Sequence, residues 1–160
     1  MKFTSAVLLV LLGAFYFHGA EAVTGSTIAQ VARGYTGSTV WSFVSSHRTG
    51  RNTNKCNIFV AEVLEEAGAT VPHRWPRWLR WSPVGAGEWG NRYSSYLSED
   101  RCWTYSSTAG LGYVAGDGRH VAIVTGTRQT TSARSDMVVT NDFGFRSSQE
   151  GSIIFWKYTC

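Results

Sequence analysis

Three kinds of residue that together make a nucleophilic site are spread along this chain: Cys56, His120 and the pair Asn141 and Asp142. A thiol attacks a carbonyl carbon once a base removes its proton. An imidazole can take that proton and return it to the leaving group, and an amide or carboxylate can hold the imidazole in the right tautomer. The cysteine lies in the stretch that organises the chain, Asn54 to Gly68, which reads as one amphipathic helix. Asn54 is suited to cap its start and Gly68 to end it. Cys56, Val60, Val63 and Ala67 share one face, which Ile58, Phe59 and Leu64 widen. Glu62, Glu65 and Glu66 are expected to point to water. Cys56 then faces inward from the first turn, where the helix N-terminus favours a thiolate and can hold an oxyanion. The plainer reading of such a cysteine is a small buried hydrophobe.

Stepping outward along the sequence, the first twenty-two residues read as a secretory signal peptide. Lys2 supplies the positive start, Ala6 to Phe17 is apolar but too short to span a bilayer, and Ala20-Glu21-Ala22 is a cleavage signal. Residues 23–160 suit a single domain with one core. The formal net charge of +4 survives cleavage, because Lys2 and Glu21 cancel. Such a basic secreted protein is drawn to polyanions, whether bacterial walls, anionic membranes or nucleic acid.

The chain has three cysteines, an odd number for an oxidising compartment. Three pairings are possible. A Cys102–Cys160 bridge would tie down the C-terminus and leave Cys56 free, and it is the expected one.

Before the organising helix, Ile28, Val31 and Ala32 suggest a helical turn or two, and Val40, Trp41, Phe43 and Val44 another. His47 is a possible partner for Cys56 but is expected at the surface, as is His73. All three prolines fall between Val71 and Pro83, where arginine and tryptophan alternate. That segment reads either as a cationic aromatic lip for an anionic glycan or lipid headgroup, with Trp75 and Trp78 as contacts, or as an irregular loop closing the core. Ala86 to Asn91 looks like a turn into a short helix.

The last third reads as β structure: Leu111 to Ala115, a turn at Gly116-Asp117-Gly118, His120 to Gly126, Met137 to Thr140 and Ile153 to Tyr158. Short links argue for an antiparallel sheet, so the expected class is α+β with the helix packed on one face. Treating Thr127 to Ser135 as a polar connection folds His120 opposite Asn141 and Asp142. Nucleophile, base and orienter would then meet.

These blocks carry a resemblance. Asn54-Lys55-Cys56-Asn57-Ile58-Phe59-Val60, Ala86-Gly87-Glu88-Trp89, Gly118-Arg119-His120-Val121-Ala122-Ile123-Val124-Thr125-Gly126 and Asn141-Asp142-Phe143-Gly144-Phe145-Arg146 look like the papain-like peptidoglycan amidases of the NlpC/P60 type. The nearest likeness is to the amidase effectors of type VI secretion. With a eukaryotic-style signal peptide, the chain resembles the secreted domesticated amidase effectors. The resemblance implies Cys56 as nucleophile, His120 as base and Asn141 or Asp142 as orienter. It adds Trp89 and Arg119 to Trp75 and Trp78 of the aromatic lip as substrate contacts. Arg119 departs from the glycine common before the histidine, and Phe143 from a common tryptophan.

The implied reaction is cleavage of an amide bond in bacterial peptidoglycan, at the γ-D-glutamyl–diamino acid bond or the D-alanine crosslink. One effector group's similarity points to the crosslink. No cofactor or metal is expected, because the remaining histidines lack ligand spacing. Neither a nucleic-acid partner nor a stable membrane anchor is expected, and a monomer is. The rival readings are a secreted cysteine protease acting on proteins, a non-enzymatic cationic Trp- and Arg-rich antimicrobial binding walls or membranes, and an amidase fold kept only for recognition.

Overall fold

The structure, a computed structural model, describes residues 22–142 and 153–160. The expected signal peptide, apart from Ala22, lies outside the described residues, as do Phe143, Gly144, Phe145 and Arg146 of the resembling blocks.

The first helix, α1, spans Gly25–Gly34. The Thr24 hydroxyl accepts the Thr27 backbone N–H at 3.1 Å, which satisfies one donor of the open first turn. Ile28, Ala29 and Ala32 are its buried residues. The apolar piece from Val40 to Val44 forms turns instead of the expected second helical stretch. Trp41 explains why: it is buried, edge-on to Tyr35 at 4.9 Å and to Phe59 at 5.2 Å, and its indole N–H donates to Glu62 at 2.7 Å.

The organising helix, α2, spans Cys56–Glu66. It begins at Cys56 with Lys55 in the cap position, so Asn54 does not serve as the cap. Its end is as expected. Gly68 adopts φ +87°, its N–H donates to the Glu65 carbonyl at 3.0 Å, and the Ala69 N–H donates to Leu64 at 2.8 Å. These two bonds close the last turn in the left-handed manner that glycine allows. Seven of its residues are buried, from Cys56 to Leu64, so the helix is enclosed on more than one side.

Enclosure overturns the expectation for two of its carboxylates. Glu62 accepts from Trp41, pairs with His47 at 2.8 Å and with Arg48 at 2.7 Å. Glu65 accepts the Trp81 indole N–H at 3.1 Å and pairs with Arg77 at 3.1 Å. Loops on both flanks carry arginine, histidine and tryptophan donors over the helix, and bonds to an ionised acceptor hold them there. His73 is correspondingly drawn in. Its side chain is 8% exposed and its Nδ1 accepts the Ser82 N–H at 3.0 Å, contrary to the expected surface position.

Two short helices follow, α3 over Ala86–Trp89 and α4 over Ser95–Ser98. Among the described residues six strands follow: β1 Trp103–Ser106, β2 Val114–Gly116, β3 Val121–Gly126, β4 Gln129–Ala133, β5 Val138–Asp142 and β6 Ile154–Tyr158. They form one sheet in the order β1-β6-β2-β3-β4-β5, with every neighbouring pair antiparallel. The class is therefore α+β, with α2 on one face of an antiparallel sheet. On that face Val114, Val121, Ile123, Val138 and Trp156 share a core with α2. On the reverse face Ala115, Val124 and Phe155 form a second, smaller cluster.

Two strands were not expected from the sequence. Trp103–Ser106 pairs with the C-terminal strand. Gln129–Ala133 occupies the middle of the supposed polar connection, and its polarity is accommodated by hydroxyl pairing. Thr125, Thr131, Thr140 and Thr36 run in a chain of contacts at 2.9, 2.7 and 2.8 Å. The chain closes with the expected Cys102–Cys160 disulfide, which leaves Cys56 as the free cysteine.

Candidate active site

Cys56 is the first residue of α2 and is 7% exposed. Its sulfur faces three backbone N–H groups, those of Val121, Asn57 and Cys56 itself. Two come from the open helix start and one from the first residue of β3. His120 immediately precedes Val121, so the helix start and the beginning of β3 converge on the thiol. Burial pushes the Cys56 pKa up, and the three N–H groups pull it down without overcoming burial. The nearby Asp117 carboxylate also raises it. Burial thus opposes the thiolate that the helix position alone favours.

Lys55 occupies the cap position of this helix. Its side chain is almost fully buried, 2% exposed, and the ammonium donates to the carbonyls of Ser42 at 3.2 Å and Thr53 at 3.1 Å. Burial lowers its pKa. The Ser42 to Thr53 loop is thereby bound to the residue beside Cys56.

The turn between β2 and β3 presents His120. Asp117 Oδ1 accepts the Arg119 N–H at 2.8 Å and the His120 N–H at 2.6 Å, and the Asp117 N–H donates to the His120 carbonyl at 3.2 Å. This turn packs backbone to backbone on the end of α3. A Cβ at Gly90 would lie 1.8 Å from the Gly118 nitrogen, so only glycine permits that approach. Asp117 was read from the sequence only as a turn residue. Its place beside Cys56 comes from the register of β2 with β3, and a Gly-Asp-Gly turn directly before the histidine was the available signal.

Asn141 and Asp142 are not gathered here. Asn141 pairs with Thr130 and Asp142 with Gln129, and those positions of β4 lie against Val124 and Gly126 of β3. His120 stands at the other end of β3. Four residues along the strand and two strands across separate His120 from Asn141, roughly 16 Å between backbones. Neither Asn141 nor Asp142 can orient His120 over that span, so the expected triad is corrected. The error came from the connection: inserting β4 moves β5 one strand outward and reverses which of its ends meets the start of β3. Asn141 also points to the face away from α2, because its neighbour Thr140 bonds Thr131 on the α2 face.

Trp89 is corrected too. It is 1% exposed, edge-on to Trp103 at 5.0 Å, and its carbonyl accepts the Trp156 indole N–H at 3.0 Å. It is core and cannot touch a substrate. Arg119 is exposed in the turn next to His120. Trp75 and Trp78 are exposed on the Arg74 to Trp81 excursion, so their rings stand in solvent and not against the Cys56 helix. His47 is taken by Glu62 and is not a partner of Cys56. Among the described residues, no group of three or more histidine, cysteine or acidic side chains could hold a metal ion.

No family model, no curated protein and no solved structure matches this chain.

Proposed function

We propose that the protein is a secreted cysteine hydrolase of the papain-like NlpC/P60 type, cleaving amide bonds in bacterial peptidoglycan. The observation that carries the reading is the approach of the Val121 N–H, next to His120, to the Cys56 sulfur at the start of α2. Nucleophile, base and N–H donors come from two elements that the core locks together. The motif resemblance around Cys56 and His120 supplies the substrate class. The free thiol beside a closed disulfide fits an oxidising compartment with one cysteine kept for chemistry.

His120 takes the Cys56 proton as the sulfur adds to the amide carbon, so a buried thiol suits the resting state. The helix-start N–H groups receive the charge that develops on the carbonyl oxygen. The imidazolium returns its proton to the leaving amine, leaving a thioester. His120 then takes a proton from water, which attacks the thioester and regenerates the thiol. Asp117 holds the His120 backbone throughout, and Arg119 meets acidic groups of the stem peptide.

The test compares residues 23–160 with its Cys56→Ala variant on purified sacculi, with released fragments identified by mass spectrometry. Loss of one defined amide bond, absent in the variant, is expected. Unchanged fragments with sacculus binding intact in both proteins would favour a binding module instead.

A further inference from the structure

The Arg74 to Trp81 excursion is not used by the proposed chemistry, yet its base is fastened to the fold and its tip ends in solvent. Its base is fastened at several points. Arg74 grips Glu88 through two nitrogens at 2.8 and 3.0 Å, the Arg74 N–H donates to the Ser82 carbonyl at 2.9 Å, and Trp81 donates to Glu65. Pro76 closes a tight turn by accepting from Leu79 and Arg80. Beyond this base, Trp78 is 86% exposed, Leu79 59% and Trp75 57%. Folding leaves these large apolar side chains together in water, and nothing in the core needs them there. Cations surround them in a particular order: Arg77 and Arg74 are 64% and 49% exposed, while the carboxylates they pair with are only 19% and 21% exposed. The acids sit inward and the guanidinium groups outward, and Arg80 is exposed at the tip.

We propose that this knuckle is a second binding site, independent of the Cys56 chemistry, that docks the protein on an anionic lipid bilayer. Tryptophan and arginine suit the headgroup level of a membrane. Leu79 decides between lipid and glycan. A leucine offers nothing to a hydroxyl-rich sugar but gains by entering an acyl layer beside two indoles. The outward arginines and the net charge of +4 select an anionic surface. A base already fixed by its bonds to Glu65 and Glu88 loses little freedom on docking.

The experiment is vesicle co-sedimentation of residues 23–160 with phosphatidylglycerol–phosphatidylcholine and with phosphatidylcholine alone, at low and high salt. Binding to the anionic vesicles, weakened by salt and lost on the neutral ones, is the expected result. Trp78→Ser with Leu79→Ser should weaken it about tenfold or more, while Cys56→Ala should bind as the parent does. Circular dichroism confirms that the double variant is folded. Anionic-vesicle binding undiminished in the folded double variant would overturn the proposal, as would no binding by the parent. Failure of the hydrolase reading would show only on sacculi, in the Cys56→Ala comparison, so the two outcomes are separable.

Discussion

Asp117 Oδ1 accepts the His120 backbone N–H at 2.6 Å, while Oδ2 of the same carboxylate is buried with no hydrogen-bond partner among the described residues. A single side chain thus shapes the turn that presents the candidate base and places a negative charge near the candidate nucleophile. The two roles can be separated. Asp117→Asn keeps an acceptor oxygen but removes the charge. Burial and that charge both raise the Cys56 pKa, so iodoacetamide alkylation of the parent should rise with pH to a midpoint above the ordinary thiol value of about 8.5. In Asp117→Asn the midpoint should move down with the fold intact. Asp117→Ala loses the acceptor of both the Arg119 and His120 N–H groups, and the proposed peptidoglycan hydrolysis should fall about tenfold or more. An unmoved midpoint in Asp117→Asn would contradict the electrostatic link.

The turn also depends on close contact with α3. Gly90→Ala should destabilise the protein by about 1–3 kcal/mol, because the new Cβ meets the backbone at Gly118 and neither side can yield cheaply. Gly87 is the control. Its nearest neighbour to an added Cβ is the Gly118 oxygen at 3.9 Å, so Gly87→Ala should be close to neutral. Urea denaturation of both variants distinguishes a specific close approach from a general intolerance of substitution in α3.

Removing the disulfide should be costly. Cys102 and Cys160 are 58 residues apart in sequence, and closing a loop of that size restricts the unfolded chain by about 4 kcal/mol. The bridge also sits where β1 and β6 end their pairing, with the Thr159 N–H donating to the Cys102 carbonyl at 2.8 Å. Denaturant unfolding of Cys102→Ala with Cys160→Ala, set against the parent, measures the loss. A difference below about 1 kcal/mol would mean that the ends are held mainly by the strand pairing.

Acid should destabilise the fold in two stages. Burial lowers the His73 pKa, so its contribution is present above the ordinary histidine value of about 6.5 and is lost as pH falls through the folded value. For Glu62, burial pulls the pKa up, but the bonds from Arg48, His47 and Trp41 outweigh it and the net shift is down. Glu88 behaves alike, with Arg74 as the main donor. Both carboxylates therefore stabilise the fold above the ordinary glutamate value of about 4.3 and lose that effect as pH falls through their lower folded values. Thermal unfolding from pH 8 to pH 3 should show melting temperature falling first below about 6.5 and again below about 4.3. Glu62→Gln should flatten part of the second fall.

Much of the fold was legible because local pattern and burial agreed. The α2 periodicity, Gly68 at its end, the turn before His120 and the strands of β3 and β6 all follow from side-chain spacing that a core must satisfy. The second strand of the sheet's outer half was hidden because β4 is made of Gln129, Thr130, Thr131, Ser132 and Ala133, which read as a loop until hydroxyl pairing makes them a ladder. The carboxylates of α2 misread for a related reason: exposure on an isolated helix says nothing of loops that fold back over it.

The sequence by itself determined the class of the fold, a helix starting near Cys56 and one thiol left over among three cysteines, since spacing and cysteine parity are local or countable. Only the tertiary structure decided which residues meet. Strand order and register are set by pairing between segments far apart in sequence: a single unrecognised strand carried Asn141 and Asp142 away from His120, and the pairing of β2 with β3 set Asp117 near Cys56.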